Sequence, residues 1–445
     1  MSAGKGMGEG GAAAMKDCDV AVIGGGPAGS TVAALLAERG FRVALFEKSR
    51  HPRFHIGESL LPANLPLFER LGVAAEVRAI GMHKWGAELV SPAHPRPTRL
   101  AFADAWDKSL PYAYQVRRSQ FDEILFRNAA RKGALAQEGC RVRGVEFAPG
   151  GGACLQIERE DGGAETWRAR FVADASGRDT FLGGRLGAKR RNARHNSAAI
   201  YAHFRGARRN AGSCEGDITI FWFEHGWFWF IPLADGITSV GAVVWPYYLK
   251  SRTKPVNEFL MDTIALCPKL AARLEGAERV TAAEATGNYS YACDRTHGPG
   301  YLLLGDAYAF IDPVFSTGVM LAMTSAVDGA DAIETCLRRP GKARRALARF
   351  DRRTRRGPRE FSWFIYRVTS PAMRGLLMGP RNLLRMREAL LALLAGDVFS
   401  RSPIGPSLLA FKGLYYFLSL ADPRAALRAW RRRRSSLRDA ANVGA

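Results

Sequence analysis

Residues 19–47 read DVAVIGGGPAGSTVAALLAERGFRVALFE, and this stretch decides the fold. It predicts an apolar strand at 19–23, a helix that runs to about residue 39, and a second apolar strand at 42–46. The loop between the first strand and the helix is GGGPAG, a G-x-G-x-x-G sequence, and an acidic residue follows the second strand. Strand, glycine-rich loop, helix and strand in this order form a βαβ unit of the Rossmann type, which predicts that the chain binds a dinucleotide.

The loop residues have separate tasks in such a unit. Gly24 permits the tight turn, Gly26 lets the backbone approach a pyrophosphate, and Gly29 lets helix and strand pack closely. The helix N-terminus faces the phosphates, and Glu47 is placed to accept hydrogen bonds from the adenosine ribose. The predicted cofactor contacts of this unit are Gly24, Gly26, Pro27, Ala28, Gly29 and Glu47.

Two later apolar segments, 171–177 (FVADASG) and 301–306 (YLLLGD), each end in aspartate and glycine. We predict that both are parallel strands of the same sheet, which puts Asp174, Gly305 and Asp306 at the edge where ligands bind. Asp306 would then reach a second part of one long cofactor, such as the ribityl chain of FAD, a contact that an NAD enzyme rarely needs. The alternative role for Asp306 is to cap the N-terminus of the following helix, and the two roles are compatible.

The intervening sequence has a different periodicity. Segments at about 84–117 and 198–295 predict antiparallel strands, which would form a sheet over the cofactor and shape a substrate cavity. Ser119 is expected to cap a helix over 119–131, and Pro358 is among the prolines expected to break the C-terminal helices. The predicted organisation is a flexible tail at 1–16, a cofactor-binding domain at 17–335 interleaved with the sheet, a helical region at 336–430 and a basic tail at 431–445.

The composition is typical of a soluble globular protein, with 445 residues, 47% hydrophobic and 24% charged. The seven cysteines are scattered without a C-x-x-C pair, which argues against a disulfide framework or a metal site and favours a reducing, cytoplasmic environment.

The net charge is +22, and residues 338–445 contain 25 basic and 6 acidic residues, so 25 − 6 = +19. This basic region either attracts an acidic partner or is a solvated arginine-rich surface. Nucleic acid is disfavoured as the partner, because base-stacking aromatic residues are not interleaved with the basic residues, apart from Trp430 before Arg431.

Residues 227–232 read WFWFIP. This pattern predicts a strand with large rings on both faces, ended by a proline that cannot donate to the sheet. The W-x-W-x-I-P pattern resembles the signature of the flavin-dependent halogenases. The resemblance covers residues 19 to about 359, with weaker similarity through DVFS at 397–400. It is closest to halogenases of phenols and pyrroles, and it implies an α/β fold: a Rossmann-type FAD-binding domain of the p-hydroxybenzoate hydroxylase type, an inserted antiparallel β-sheet and a C-terminal α-helical region.

The resemblance also implies a catalytic residue. Residues 83–87 read HKWGA, and the halogenases place their essential lysine before Gly-Ala or Gly-Gly, which assigns Lys84. In this family reduced FAD and O2 give a C4a-hydroperoxide that oxidises chloride to hypochlorous acid, and the lysine directs this acid to an aromatic carbon. The lysine acts either as a chloramine or as an ammonium that polarises hypochlorous acid. Burial would lower its pKa and favour the chloramine, but the sequence leaves both open.

Residues 310–318 read FIDPVFSTG and match the F-x-x-P-x-x-S-x-G segment of the family. The match implies that this turn opens a helix beside the flavin, with Pro313 and Gly318 at the cofactor. It further implies that the amides of Thr317 and Gly318 bind chloride or bromide. Contact with flavin alone is the alternative.

Further motifs complete the site that the resemblance implies. The sequence GES, formed by Gly57, Glu58 and Ser59, would pack against the flavin and line the route of the oxidant. Arg118 matches a family arginine that neutralises the pyrophosphate or steers reduced flavin. The residues expected to separate substrate from flavin are Trp227, Trp229 and Phe315.

The expected substrate is an electron-rich aromatic molecule. Tryptophan halogenases carry a glutamate where this chain has Phe315, which argues against free tryptophan and for a phenol or pyrrole that its own oxygen or nitrogen activates. The resemblance implies chlorination in secondary-metabolite biosynthesis, with the ring either free or tethered to an acyl or peptidyl carrier protein that the basic region docks. The chain shows no second glycine-rich nucleotide motif, so we expect reduced FAD to come from a separate flavin reductase.

Three alternatives stay open at this point. The same fold supports an FAD-dependent monooxygenase that hydroxylates an aromatic ring. It also supports a reductase of the geranylgeranyl-reductase type, which shares the GES element. For the basic region, the apolar segment at 408–420 leaves docking on a membrane surface as the alternative to a carrier protein.

Overall fold

The computed structural model describes residues 15–287, 290–399 and 402–441. The predicted tail at 1–16 therefore lies mostly outside the described residues, as do Ser400 and the end of the predicted basic tail. Within the described ranges, no helix combines the length and the apolar character needed to cross a membrane.

The first sheet carries the predicted βαβ unit. Lys16–Ile23 pairs in parallel with Val43–Phe46 on one side and with Ala164–Asp174 on the other. Tyr301–Leu303 pairs in parallel with Ala164–Asp174, so both later segments return to this sheet as predicted. Parallel strands of this kind are covered on both faces, which is why their paired parts at 20–23, 43–46, 171–173 and 301–303 are continuously apolar. In sheet order the strands are His297–Gly298, Tyr301–Leu303, Ala164–Asp174, Lys16–Ile23, Val43–Phe46 and Leu135–Gln137, and Cys140–Phe147 pairs with Ala153–Arg159, which pairs with Ala164–Asp174.

The second sheet is the predicted insertion. Its centre is Gly226–Pro232, which is antiparallel to both Ile218–Phe223 and Ile237–Val244. Among the described strands, one pair departs from the antiparallel expectation: Gly86–Val90 runs parallel to Ile218–Phe223. More than a hundred residues separate these two strands, so no hairpin turn imposes an antiparallel pairing. In sheet order the strands are Glu278–Arg279, Ala198–Arg205, Ile237–Val244, Gly226–Pro232, Ile218–Phe223, Gly86–Val90 and Thr98–Ala101, with Glu284–Gly287 also paired to Ala198–Arg205.

Short strands connect the two sheets, and helices surround them. The short strands are Met82–Lys84 with Ala113–Gln115, and Lys189–Arg191 with Tyr291–Cys293 and Ala309–Phe310. The α-helices are Pro27–Glu38, Leu65–Leu71, Ala74–Ile80, Arg118–Arg131, Phe181–Arg185, Pro246–Lys250, Val256–Ala265, Pro268–Ala271, Gly318–Arg338, Ala343–Ile365, Pro371–Met378, Met386–Leu394, Gly405–Ala421 and Pro423–Ala441.

Two helix boundaries differ from the sequence prediction. The helix Arg118–Arg131 begins one residue earlier than expected, with Arg117 at the N-cap and no side-chain cap, so Ser119 is inside the first turn and does not cap it. The last helix, Pro423–Ala441, crosses the boundary predicted at residue 430.

The helix Ala343–Ile365 continues through Pro358, where the sequence predicted a break. A proline in a helix normally clashes with the preceding residue as well as with the carbonyl one turn earlier. Here the preceding residue is Gly357, which has no Cβ and so relieves the first clash. An added Cβ at Gly357 would also lie 2.3 Å from Leu321 Cδ2, so the glycine allows this helix to pack closely against its neighbour.

The strand Gly226–Pro232 has the two aromatic faces that its sequence predicts. Trp227 and Trp229 pack with the cluster beneath the C-terminal helices, whereas Phe228 and Phe230 pack on the opposite face with the helix Val256–Ala265. Trp229 lies over Gly241 on the neighbouring strand, where a Cβ would come within 2.2 Å of its ring. The missing side chain at this position makes room for the indole.

We therefore expect Gly241→Ala to destabilise the protein by about 2–3 kcal/mol, because the new methyl group overlaps the Trp229 ring and the Tyr201 Cβ. Thermal unfolding would measure the loss. Gly287→Ala on a strand of the same sheet is the matched control, since its Cβ would make one ordinary contact at 3.8 Å. Equal unfolding temperatures for the two variants would contradict this packing.

Candidate active site

A cleft of about 970 Å³ runs along the carboxyl ends of the parallel strands and reaches the inserted sheet. Ligands of such sheets bind at this edge, and the volume lies at the upper end of the range for ligand pockets, as a dinucleotide requires. Of the residues predicted for the site, those that line the cleft are Gly24, Gly26, Pro27, Ala28, Glu47, Gly57, Glu58, Ser59, Arg118, Trp227, Trp229, Asp306, Pro313 and Gly318.

The glycine-rich loop has the shape that a pyrophosphate needs. Gly24 has φ of +98°, and a Cβ there would lie 2.5 Å from Ala175 O. A Cβ on Gly29 would lie 1.8 Å from Gly24 O, so this glycine serves the packing of helix against strand and does not line the cleft. A Cβ on Gly26 would meet only Arg53, at 3.6 Å, and so the backbone there is open towards the cleft. The cradle fits a phosphate group at the start of the helix.

The buried carboxylate of Glu47 ties the loops around this cradle together. Its Oε2 accepts a hydrogen bond from Gly25 N at 2.8 Å, and its Oε1 accepts one from Ser49 N at 3.0 Å. A carboxylate has about four acceptor positions, so ribose hydroxyls can still donate to it. The position at the end of the second strand is the one that a dinucleotide ribose requires.

Asp306 supplies the second test of whether FAD fits. It lies in the short 3-10 turn Gly305–Ala307 and lines the cleft, and Gly305 itself does not. Burial raises the pKa of Asp306 to about 6, although the positive charges of Arg118 and Arg178 act against this rise. Among the described residues no donor reaches its carboxylate, and a hydroxyl-bearing ligand would satisfy it. The residues present therefore fit the ribityl chain of FAD.

Asp174 lies at the end of the predicted strand, but its carboxylate has a different role from the predicted one. Its Oδ1 accepts a hydrogen bond from Ser176 N at 2.9 Å and its Oδ2 accepts one from Leu182 N at 2.7 Å, and it does not line the cleft. Both oxygens are turned into the fold because they satisfy amides of the turn that follows the strand. The expected direct contact with the cofactor is corrected to a role in holding the loop that lines the cleft.

Arg118 likewise holds a loop. Its guanidinium makes a two-pronged pair with Asp122 at 2.8 and 3.0 Å, and Nη1 donates to Ile56 O at 2.9 Å. A Cβ on Gly57 would lie 3.1 Å from the same nitrogen. Because Asp122 offsets its charge, the geometry favours a part in positioning the loop at 56–59 over a free charge for the pyrophosphate.

The loop of Gly57, Glu58 and Ser59 joins the cleft to the inserted sheet. Glu58 is buried, and both its oxygens lie 3.1 Å from His203 Nε2 on that sheet. Ser59 Oγ accepts a hydrogen bond from Lys84 Nζ at 2.9 Å. Adjacent residues of one loop thus face the cofactor cleft and the predicted catalytic lysine.

Lys84 is among the largest fully buried side chains of the described residues, with 1% of its surface exposed. Its Nζ donates to Ser59 Oγ at 2.9 Å and to Leu60 O at 3.0 Å, and lies 5.3 Å from the centre of the Phe102 ring. Burial lowers the pKa of Lys84 to about 7, although the charge of Asp217 acts in the opposite direction. Near neutral pH a large share of this amine is therefore unprotonated.

A second cavity, of about 50 Å³, lies at Lys84. We call it the lysine chamber. Ile218 and Ser316 line both the lysine chamber and the large cleft, so they form the shared wall between the two. The other residues that line the lysine chamber are apolar: Leu61, Ala87, Leu89, Leu100, Phe102, Ile220, Trp222, Val314, Phe315, Val368, Leu377, Leu391 and Leu394.

The turn before the helix Gly318–Arg338 lies at this shared wall. Ser316 has a left-handed backbone with φ of +56°, Thr317 is the buried N-cap residue, and Gly318 lines the cleft. Among the described residues, the amides of Thr317 and Gly318 meet no acceptor. Free amides at the positive end of a long helix form a site that fits a small anion.

A buried polar cluster fixes the shape of this turn. Asp312 Oδ1 accepts a hydrogen bond from Val314 N at 3.1 Å, and its Oδ2 lies 2.8 Å from His195 Nε2 and 3.0 Å from Ser197 Oγ. The cluster pins the start of the turn to the segment that leads into the inserted sheet. The turn is thereby pre-organised, which an anion site of bare amides requires.

The predicted separating residues divide between the two cavities. Trp227 and Trp229 line the large cleft, whereas Phe315 lines the lysine chamber, as does Trp222 from the neighbouring strand. The helices Pro371–Met378 and Met386–Leu394 close the lysine chamber from outside, through Leu377, Leu391 and Leu394. The C-terminal helical region therefore completes the site instead of forming a separate unit.

Sequence reasoning missed four residues that shape the site. His203 and His195 carry no local motif, and their carboxylate partners lie more than a hundred residues away in sequence. Asp312 is inside the quoted segment 310–318, and an aspartate before proline in a turn is a recognisable signal for capping. Trp222 follows only from knowing which strand pairs with 226–232.

Comparison with known proteins gives consistent matches. A family model described as an FAD binding domain matches residues 17–358. The chain is 30% identical over 411 residues to a 1H-pyrrole-2-carbonyl peptidyl-carrier-protein chlorinase of Pseudomonas fluorescens, which covers 86% of this chain and 90% of that protein. It is 35% identical over 335 residues to a tryptophan 2-halogenase of Chondromyces crocatus, covering 72% of this chain and 61% of that protein. The structure of a myxobacterial chondrochloren halogenase, an FAD-dependent enzyme, matches with a TM-score of 0.76 at 34% identity over 87% of this chain and 92% of the other.

We expect Lys84→Met to raise the free energy of unfolding at pH 7 by about 2 kcal/mol, because burial disfavours the charged amine and methionine fills similar space. The unfolded lysine has its ordinary pKa of 10.5, so between pH 7 and 10.5 the unfolded state binds more protons than the folded state. The contribution of Lys84 to stability therefore rises with pH in this window, and the gain from the substitution should shrink. Urea unfolding at pH 7 and near pH 9 measures both effects.

Lys108→Met is the control for this measurement, since Lys108 is exposed and its replacement should change little at either pH. A Lys84 variant that is less stable than the parent by the same amount at both pH values would contradict a lysine that is buried in a largely neutral form.

Proposed function

The chain belongs to the flavin-dependent halogenases, and on this premise we propose that it chlorinates an electron-rich aromatic ring that a carrier protein presents at Lys84. The observation that carries the proposal is the pair of cavities with one shared wall: a cofactor-sized cleft on one side and a buried amine on the other. A hydroxylase needs its ring in the same space as the flavin, and this wall stands against that arrangement. The comparisons likewise favour halogenation over hydroxylation or double-bond reduction.

When bound, reduced FAD and O2 supply the oxidant that converts a halide ion to a hypohalous acid. The amides of Thr317 and Gly318 hold the halide at the helix N-terminus, at the wall between the cleft and the lysine chamber. Hypochlorous acid then crosses the wall at Ser316 and Ile218 into the mostly apolar lysine chamber, where it meets the amine of Lys84.

The Lys84 amine captures the oxidised halogen. Its two N–H groups donate to Ser59 Oγ and Leu60 O, which leaves the nitrogen lone pair of the neutral amine for hypochlorous acid. The N–Cl bond forms, the O–Cl bond breaks, and water leaves with a proton from the amine. The aromatic carbon next takes the chlorine from nitrogen, and the ring proton returns to the amine.

The lining of the lysine chamber narrows the substrate class. Within the described part of the lining there is no carboxylate, and Phe315 stands where a base would act. The ring must therefore be activated by its own oxygen or nitrogen, as a phenol or a pyrrole is. The pyrrole chlorinase relative is named for such a ring on a carrier protein, whereas another relative is named for tryptophan. The relatives therefore do not agree on the substrate, and the choice of a phenol or pyrrole rests on the lining residues.

The closed lysine chamber favours a substrate that arrives with a partner. A cavity of roughly 150 Å³ is known to hold a benzene ring, and the lysine chamber measures about 50 Å³, so its covering helices must shift. The link between these helices has left-handed residues at Leu384 and Arg385, which cost roughly 1–2 kcal/mol each. Docking of an acidic carrier protein at the exposed Arg381 beside this link releases the strain and opens the lysine chamber.

The direct test supplies FAD, NADH, a flavin reductase, O2 and chloride or bromide, together with free and carrier-bound phenols and pyrroles. Mass spectrometry should find a halogenated ring, and Lys84→Met should lower its formation by at least about 100-fold while O2 consumption continues. Lys108→Met is the matched control and should keep full activity. A hydroxylated product that forms without halide would refute the proposal.

Carrier docking has its own expected outcome. Arg381 is exposed beside the strained link, and Arg381→Glu should raise the KM for a carrier-bound ring about five- to tenfold without changing kcat. Added salt should likewise raise the KM of the parent enzyme for the carrier-bound ring, because salt screens the charges. Arg70→Glu, at an exposed position that lines neither cavity, is the control. If the parent enzyme halogenates the free ring as fast as the carrier-bound one at every salt concentration, docking plays no part.

A further inference from the structure

The helix Gly405–Ala421 carries an apolar stripe on its outer face. Leu409, Phe417 and Leu420 are 70%, 68% and 78% exposed. With Gly413 and Tyr416, which are also exposed, they recur at i, i+4, i+7, i+8 and i+11, so they lie along one side of the helix. Single exposed leucines are common, but an aligned stripe of large apolar side chains marks a surface that meets a partner.

The opposite side of this helix is firmly anchored. Leu408 and Phe411 are buried in the cluster that also surrounds the lysine chamber, and Phe411 lies 5.8 Å from the ring of Phe364. At the edge of the apolar stripe, the Tyr416 hydroxyl accepts a hydrogen bond from Arg367 at 3.0 Å, which ties that edge to the rest of the fold. Because these contacts set the rotation of the helix, the apolar stripe cannot turn inward.

The next helix, Pro423–Ala441, extends the apolar surface and frames it with arginines. Leu427 and Trp430 are 45% and 53% exposed, and the guanidinium of Arg434 lies 5.0 Å from the centre of the Trp430 ring. Further exposed arginines on this helix are Arg424, Arg428 and Arg431. We call the exposed residues of these two helices the hairpin face.

The charge around the hairpin face is mostly positive. Residues 402–441 contain 8 basic and 2 acidic residues, so 8 − 2 = +6. Of the acidic residues, Asp422 accepts a hydrogen bond from Ala425 N and is occupied at the start of a helix. Lys412, the charged residue of the helix Gly405–Ala421, lies on the inner side and is 3.6 Å from Glu360. The outer surface thus combines leucine, phenylalanine and tryptophan with arginine.

The combination of exposed apolar side chains and arginines indicates what binds to the hairpin face. A second copy of the chain would bring two positively charged faces together, which is unfavourable. Residues 1–14 hold only Met1 and Met7 as large apolar side chains, too few to cover the stripe. We propose that the hairpin face binds the surface of an anionic lipid bilayer, with the leucine, phenylalanine and tryptophan side chains at the head-group boundary and the arginines on lipid phosphates.

The hairpin lies close to the lysine chamber. The inner side of the hairpin belongs to the same apolar cluster as Leu391 and Trp222, which line the lysine chamber. Binding of the hairpin face would therefore hold the cluster that surrounds the lysine chamber at the bilayer surface. An enzyme held in this way suits an aromatic substrate whose carrier-bound chain partitions into lipid.

The test is co-sedimentation of the FAD-loaded enzyme with vesicles of phosphatidylcholine containing about one third phosphatidylglycerol. The parent should sediment with these vesicles and stay in solution with phosphatidylcholine alone. The triple variant Leu409→Gln, Phe417→Ser, Leu420→Gln should bind at least about tenfold more weakly. Its halogenation of a free ring should be unchanged, because none of the three residues lines either cavity.

The control triple variant is Leu186→Gln, Met261→Gln, Leu266→Gln, which removes three exposed apolar side chains elsewhere. It should bind vesicles like the parent. The proposal is overturned if the parent ignores anionic vesicles, or if the hairpin variant sediments as the parent does. It is also overturned if the hairpin variant instead turns a dimer into a monomer, or raises the KM for a carrier-bound ring while the parent binds no lipid. Halogenation assays without vesicles test the proposed function separately.

Discussion

The buried amine of Lys84 connects the loop that lines the FAD cleft to the region of the inserted sheet. Lys84 ends a short strand beside the inserted sheet, and its Nζ donates to Ser59 Oγ and Leu60 O on the loop that lines the FAD cleft. A buried amine without acceptors would cost several kcal/mol, so these two bonds fix both the side chain and the loop. The same burial brings the pKa of Lys84 to about 7. A single constraint, exclusion from water, therefore positions the nitrogen and makes it nucleophilic.

The sequence could predict whatever depends on local geometry. The loop at Gly24 and Gly29 has no room for side chains, and any chain with that glycine spacing between strand and helix must turn in this way. The strands at Asp174 and Asp306 follow from apolar runs that end in acid and glycine, because parallel strands buried on both faces leave that signal. The alternating rings of residues 227–232 likewise required a strand with two buried faces.

The orientation of a side chain and its contacts with residues distant in sequence could not be predicted in the same way. Asp174 and Arg118 lie where the motifs put them. However, Asp174 accepts hydrogen bonds from nearby amides and Arg118 pairs with Asp122, so both side chains stabilise loops. His203 reaches Glu58 across 145 residues, and nothing local in either segment indicates the pairing. The unbroken helix at Pro358 depends on Gly357 packing against a separate helix. Such outcomes are decided by tertiary neighbours, which a single sequence does not specify.

The aromatic strand acquires its meaning from the cavities on its two sides. Trp227 and Trp229 line the cleft, whereas Phe315 and Trp222 line the lysine chamber. Among the described lining residues, Ser316 and Ile218 belong to both cavities. In the proposed mechanism this boundary must pass a small uncharged acid and exclude a ring. We expect these bulky side chains to keep the flavin oxidant away from the substrate, so that the amine of Lys84 is the route between them. Removing that bulk would not merely weaken halogenation; it would allow the ring to approach the flavin, where hydroxylation becomes the competing reaction.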